Sequence, residues 1–114
     1  VSASAVVISM GSTIALDAAA LQRPLINLAF DGYQNEPYCR SIRRTYDFTH
    51  YRNIMVTGAF RMANNPQELK QFLGAYLTDS ELDSANRKKL VEMQCMKIDG
   101  GAGKRIAQYL LDCI

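Results

Sequence analysis

With 114 residues, 48% of them hydrophobic and 21% charged, the chain has the size and composition of one globular domain, which excludes intrinsically disordered and fibrous classes. A formal charge of +2 excludes a nucleic-acid partner, because binding a phosphate backbone usually needs a concentrated basic face. Cys39, Cys95 and Cys113 are far apart, contain no CxxC pair and have only His50 to join them, so neither a disulfide framework nor a zinc site is expected and a reducing cytoplasm fits.

Ala5 to Met10 is a short apolar, β-branched run ending at Gly11, the pattern of a strand buried on both faces of a parallel sheet. From Ser12 to Leu21 the chain is rich in alanine, with Ser12 as the expected N-cap, and Arg23-Pro24 ends the helix. Leu25 to Phe30 is a second apolar run, so residues 5–30 predict one right-handed βαβ unit. Asp31 to Pro37 reads as a polar loop over the cleft. Residues 38–51 predict a short helix followed by irregular structure, and Gly58 to Ala63 one more short strand.

The rest is predicted helical. Asn65-Pro66-Gln67-Glu68 combines an N-cap, a proline at the first helical position and a glutamate placed to reach back. Leu69, Phe72, Leu73, Tyr76 and Leu77 follow at helical spacing and predict one buried face. A second helix is expected from Glu81 to Met96, with Leu82, Ala85, Leu90 and Val91 inward, until Asp99-Gly100-Gly101 breaks it. Ile106, Ala107, Leu110, Leu111 and Ile114 give a last helix its apolar stripe.

Ligands of open parallel α/β sheets bind beyond the carboxyl ends of the strands, where Gly11-Ser12-Thr13 is expected to lie. Gly11 permits a sharp turn; Ser12 and Thr13 offer hydroxyl and N–H groups at the positive end of a helix dipole, which suits a phosphate. Asp17 follows Thr13 by four residues on the same helix face, where a carboxylate can meet ribose hydroxyls. The bland alternatives are a self-capping turn and a solvated Asp17. His50, set among aromatic residues, is a weaker catalytic candidate, and Asp31 and Glu36 are loop acids within reach of an acceptor. Arg40, Arg43 and Arg44 form a local basic group, to be read as a solvated helix face or as a contact to an anionic substrate or a membrane surface.

The succession Ala5-Val6-Val7-Ile8-Ser9-Met10-Gly11-Ser12-Thr13, then Asp17-Ala18-Ala19-Ala20-Leu21, then Arg23-Pro24-Leu25-Ile26, resembles the signature of the C-terminal domain of GT-B glycosyltransferases. Asn65-Pro66-Gln67-Glu68-Leu69 and Asp99-Gly100 ahead of Lys104-Arg105-Ile106-Ala107 are similar to the closing helices of these enzymes and of the CDP-glycerol glycerophosphotransferase branch. Asp17 stands where glutamate is commoner, and Gln22-Arg23-Pro24 where the family has Gly-Lys-Pro.

The resemblance implies a partial Rossmann-like, three-layer α/β fold. Residues 1–114 would be a single domain, the C-terminal fragment of a larger enzyme whose N-terminal domain supplies much of the acceptor site. It implies a nucleotide-diphosphate donor held by Gly11, Ser12 and Thr13 at the phosphates and Asp17 at the ribose, with no metal and no cofactor. The reaction would move a sugar or an alditol phosphate to a cell-surface polymer or glycan, in the cytoplasm up to the inner face of the membrane. Dimerisation through a sheet edge is a further expectation. A UDP-N-acetylglucosamine 2-epimerase-like enzyme and a non-catalytic α/β interaction module are the rival readings.

Overall fold

The computed structural model describes residues 1–113. Three short strands, β1 (Val7–Ser9), β2 (Leu25–Leu28) and β3 (Arg61–Ala63), form one parallel sheet in the order β1-β2-β3. Val7 stands opposite Leu25, and Ile26 opposite Arg61. The helices are α1 (Ile14–Ala20), α2 (Arg43–Tyr46), α3 (Thr49–Met55), α4 (Pro66–Thr78), α5 (Ser84–Cys95) and α6 (Ala102–Asp112). The chain is therefore α/β, and the βαβ unit read from residues 5–30 is present.

Because side chains alternate along a strand, the middle strand serves two cores. Leu25 and Ala29 face one side with Val7, the alanines of α1 (Ala15, Ala18, Ala19), Tyr51 and Ile54 of α3, and Leu90 of α5. Ile26 and Ala63 face the other, where Leu69, Phe72, Leu73 and Tyr76 of α4 cover them. Small residues on α1 let it lie close to both the sheet and α5.

The expected strand buried on both faces is only half right. Ile8 is 48% exposed, because α4 packs on β2 and β3 and leaves the same face of β1 open. The stretch read as irregular up to Tyr51 instead runs into α3, Thr49–Met55. Its Tyr51 hydroxyl donates to Asn27 Oδ1 at 3.1 Å in the buried middle of the sheet, a long-range contact with no local sequence signal.

The N-cap of α4 forms as predicted. Asn65 Oδ1 accepts from the Glu68 N–H at 2.8 Å, and Glu68 Oε2 accepts from the Asn64 N–H at 2.9 Å. Tyr76 is fully buried, and its hydroxyl donates to Asp83 Oδ2 at 2.8 Å. Asp83 also pairs with Arg61 at 3.0 Å, whose guanidinium lies over the rings of Phe72 and Tyr76. Leu77, expected inward, is instead exposed at the helix edge, as is Ala85 of α5. The inward face of α5 includes Arg87, buried to 1%, whose Nη1 and Nη2 donate to the carbonyls of Leu82 at 2.6 Å and Ser80 at 2.8 Å.

The largest departure is α6. The apolar stripe read there faces nothing: Ile106, Ala107, Leu110 and Leu111 are exposed, as is Tyr109, and Ile114 lies outside the described residues. A compact chain of this length has a radius of gyration of about 13 Å. The observed 16.6 Å, with extents of 56 × 36 × 23 Å, reflects this projecting helix.

Candidate functional site

The carboxyl ends of the strands carry the candidate residues. Gly11 follows β1 with φ +70°, a conformation open to glycine and costly for other residues. A Cβ there would also stand 2.7 Å from Thr45 Cγ2 of α2. Glycine is thus required twice over, by the turn and by the helix seated on it.

Ser12 does not cap α1 as expected. Gly11 makes the turn, Thr13 already has helical dihedrals as the residue ahead of α1, and no side-chain cap bond is formed. Ser12 Oγ accepts from the Ile14 N–H at 3.4 Å, a local turn bond to the first residue of α1 rather than a cap bond to its second or third N–H. Both hydroxyl residues are exposed, so the turn presents them to solvent. The inward face of α1 is Ala15, Ala18 and Ala19, which leaves Asp17 on the exposed face one turn further along.

A cleft of about 150 Å³ brings Gly11 and Thr13 together with His50, Tyr51 and Gln94. It is Leu16, not Asp17, that lines this cleft on the α1 side. The two site residues read from the sequence as separate candidates, Thr13 and His50, are therefore neighbours, and Asp17 stands outside their cleft. His50 is exposed and stacks on Phe48 at 5.9 Å between ring centroids.

A second cleft, of about 330 Å³, is bordered by Met10, Asp31, Arg40, Arg44, Thr45 and Phe48 among others. A third, of about 380 Å³, lies between the loop after β2 and the start of α4 and takes in Arg43, Asn64 and Asn65. Asp31 borders both. Its carboxylate accepts from the Ile42 N–H at 2.8 Å, and the hydrogen bonds from Ser41 and Ile42, with the nearby Arg43 charge, hold its pKa below the ordinary carboxylate value. Asp31 is thus a clamp that ties residues 41–43 to the end of β2 rather than a free acid. Glu36 lines none of these clefts.

Tyr46 makes a second tie, its buried hydroxyl donating to the Leu28 carbonyl at 2.6 Å; burial raises its pKa well above that of a free tyrosine. Sequence reasoning missed both ties, since each joins residues 11 to 18 positions apart. The start of α4 is a poor anion site: the Glu68 carboxylate already occupies it, its pKa lowered by the Asn64 N–H and side chain. Among the described residues no group of three His, Cys, Asp or Glu side chains comes together as a metal site, and no helix is long and apolar enough to cross a membrane.

No protein-family model, curated protein or solved structure matches this chain.

Proposed function

We propose that this chain is the donor-binding part of a GT-B-type transferase, which moves a sugar or an alditol phosphate from a nucleotide-activated donor to a cell-surface polymer or glycan acceptor. The carrying observation is the Gly11-Ser12-Thr13 turn at the carboxyl end of a parallel strand, with Gly11 at φ +70° and both hydroxyl residues exposed. In this reading Ser12 and Thr13 hold the diphosphate, supported by the N–H groups ahead of α1. Asp17 contacts the ribose from the exposed face of the helix. His50 shares a cleft with Thr13, where an imidazole can hydrogen-bond a phosphate or relay a proton. The work of the protein on the leaving diphosphate is electrostatic, through dipoles and donors fixed in place before the reaction.

The test is an amide-resolved NMR titration with UDP, CDP and GDP. Saturating shifts at Gly11, Ser12 and Thr13, weakened about tenfold or more by Asp17→Ala, are expected. Silence at these amides, in this chain and in a longer chain that contains it, would sink the donor-site reading.

The second reading, a non-catalytic α/β interaction module, is favoured by the exposed apolar stripe of α6. It predicts no nucleotide response at the turn.

A further inference from the structure

Three arginines of one short segment, Arg40, Arg43 and Arg44, are exposed at the carboxyl edge of the sheet, and among the described residues no carboxylate lies within ion-pair distance of them. The ion pairs among the described residues lie elsewhere, at Arg52–Asp47, Arg61–Asp83 and Arg105–Asp99. Unpaired guanidiniums on a mobile surface would be ordinary, but this segment is fastened. Ser41 is buried, the Ile42 N–H is held by Asp31, the Tyr46 hydroxyl by the Leu28 carbonyl, and Thr45 is packed against Gly11. The guanidinium of Arg44 is further placed over the Phe48 ring, 5.8 Å from its centroid.

Arg40 and Arg44 border the same concave cleft of about 330 Å³, adjoining Met10, the residue before the glycine turn. Asp31 also borders it and stays ionised, its pKa lowered by the hydrogen bonds from Ser41 and Ile42, so the two arginines leave the cleft with an excess of positive charge over that single carboxylate. Guanidinium forks match the oxygens of a phosphate in geometry as well as charge. A concavity walled by Met10 and Phe48 suits a discrete group better than a bilayer, which favours an open, convex basic face.

We propose that Arg40 and Arg44 form a second anion subsite, beside the Gly11-Ser12-Thr13 turn, that binds a phosphate group of a soluble phosphoester. The inference deepens the donor-site reading and rests on it for one point only: a ligand that spans both clefts carries an anionic group beyond the one held at the turn. The substrate class is then a phosphorylated donor moiety or acceptor rather than a neutral sugar.

The probe is inorganic pyrophosphate, followed by NMR at the amides of residues 39–46 and at the arginine Nε–H signals. Wild type is expected to show saturable shifts there that weaken as salt rises. The R40A/R44A double variant should bind at least tenfold more weakly, whereas R105Q, which removes one positive charge from α6, should leave the response unchanged. Backbone spectra of each variant check the fold, and R40K/R44K, which keeps the charge without the fork, should fall between. Equal binding by wild type and R40A/R44A, or shifts that neither saturate nor localise, would overturn the subsite. So would pelleting with phosphatidylcholine vesicles containing phosphatidic acid in place of a pyrophosphate response, since the ligand would then be a headgroup. The two proposals fail separately: nucleotide shifts at residues 11–13 with no arginine response remove the subsite alone, and a saturable arginine response with a silent turn removes the donor reading alone.

Discussion

Helices α4 and α6 have similar lengths and carry apolar residues at the same helical spacing, yet one is built into the molecule and the other stands away from it. In α4 the stripe of Leu69, Phe72, Leu73 and Tyr76 closes over Ile26 and Ala63, and the first turn is capped from both sides by Asn65 and Glu68. In α6 the stripe is exposed, no side chain caps the first turn, and the nearest support is an exposed Asp99–Arg105 pair of the kind worth about 0–1 kcal/mol. Periodicity announces that a helix has an apolar face. It does not say what meets that face.

The contrast can be broken most forcefully at Tyr76. Tyr76→Ala removes a fully buried ring and the partner of Asp83, and should cost about 3 kcal/mol or more, read as a lowered urea midpoint with an unchanged slope. A loss under 1 kcal/mol would mean that α4 is no better anchored than α6.

Next comes the cap. Asn65→Ala should cost about 1 kcal/mol. The Glu68 pKa is lowered in the folded chain by the Asn64 N–H and side chain. A lowered carboxylate contributes stability that is present above its unfolded value, about 4.3, and is lost as pH falls through the folded value. Glu68→Gln should therefore flatten that part of the acid limb in a series of denaturation curves; an unchanged limb would remove the cap from the account.

The smallest effect belongs to α6. Leu110→Ala should change global stability by no more than about 0.5 kcal/mol, and α6 amides should exchange with solvent hydrogen almost unprotected while those of α4 approach global protection. An isolated helix of this length is marginal in water. Strong protection throughout α6 would show that something covers its stripe.

What could be read from the sequence follows the same division. The βαβ unit is legible because its signals are local: two apolar runs, an alanine-rich helix, a glycine and a proline within residues 5–30. The cap at Asn65 is legible for the same reason. Helix α3 is not, because its place depends on Tyr51 reaching Asn27, 24 positions away. At the site, the Gly11-Ser12-Thr13 turn could be placed from the pattern. The nearness of His50 to Thr13 could not, nor could the position of Asp17 outside their cleft, since both depend on how α1 and α3 are rotated against the sheet. Arg40, Arg43 and Arg44 were visible as a basic group, but only Asp31 and Tyr46 reveal that the segment is fastened to the strand ends.

The buried guanidinium of Arg87 carries a lesson about what counts as a similar residue. Its two nitrogens satisfy the carbonyls of Ser80 and Leu82 at the joint between α4 and α5, and it makes no ion pair among the described residues. The position is therefore sensitive to shape before sign. Lysine would keep the charge but offer a single point where a fork is needed, so a substitution that appears conservative by charge would leave the joint one hydrogen bond short.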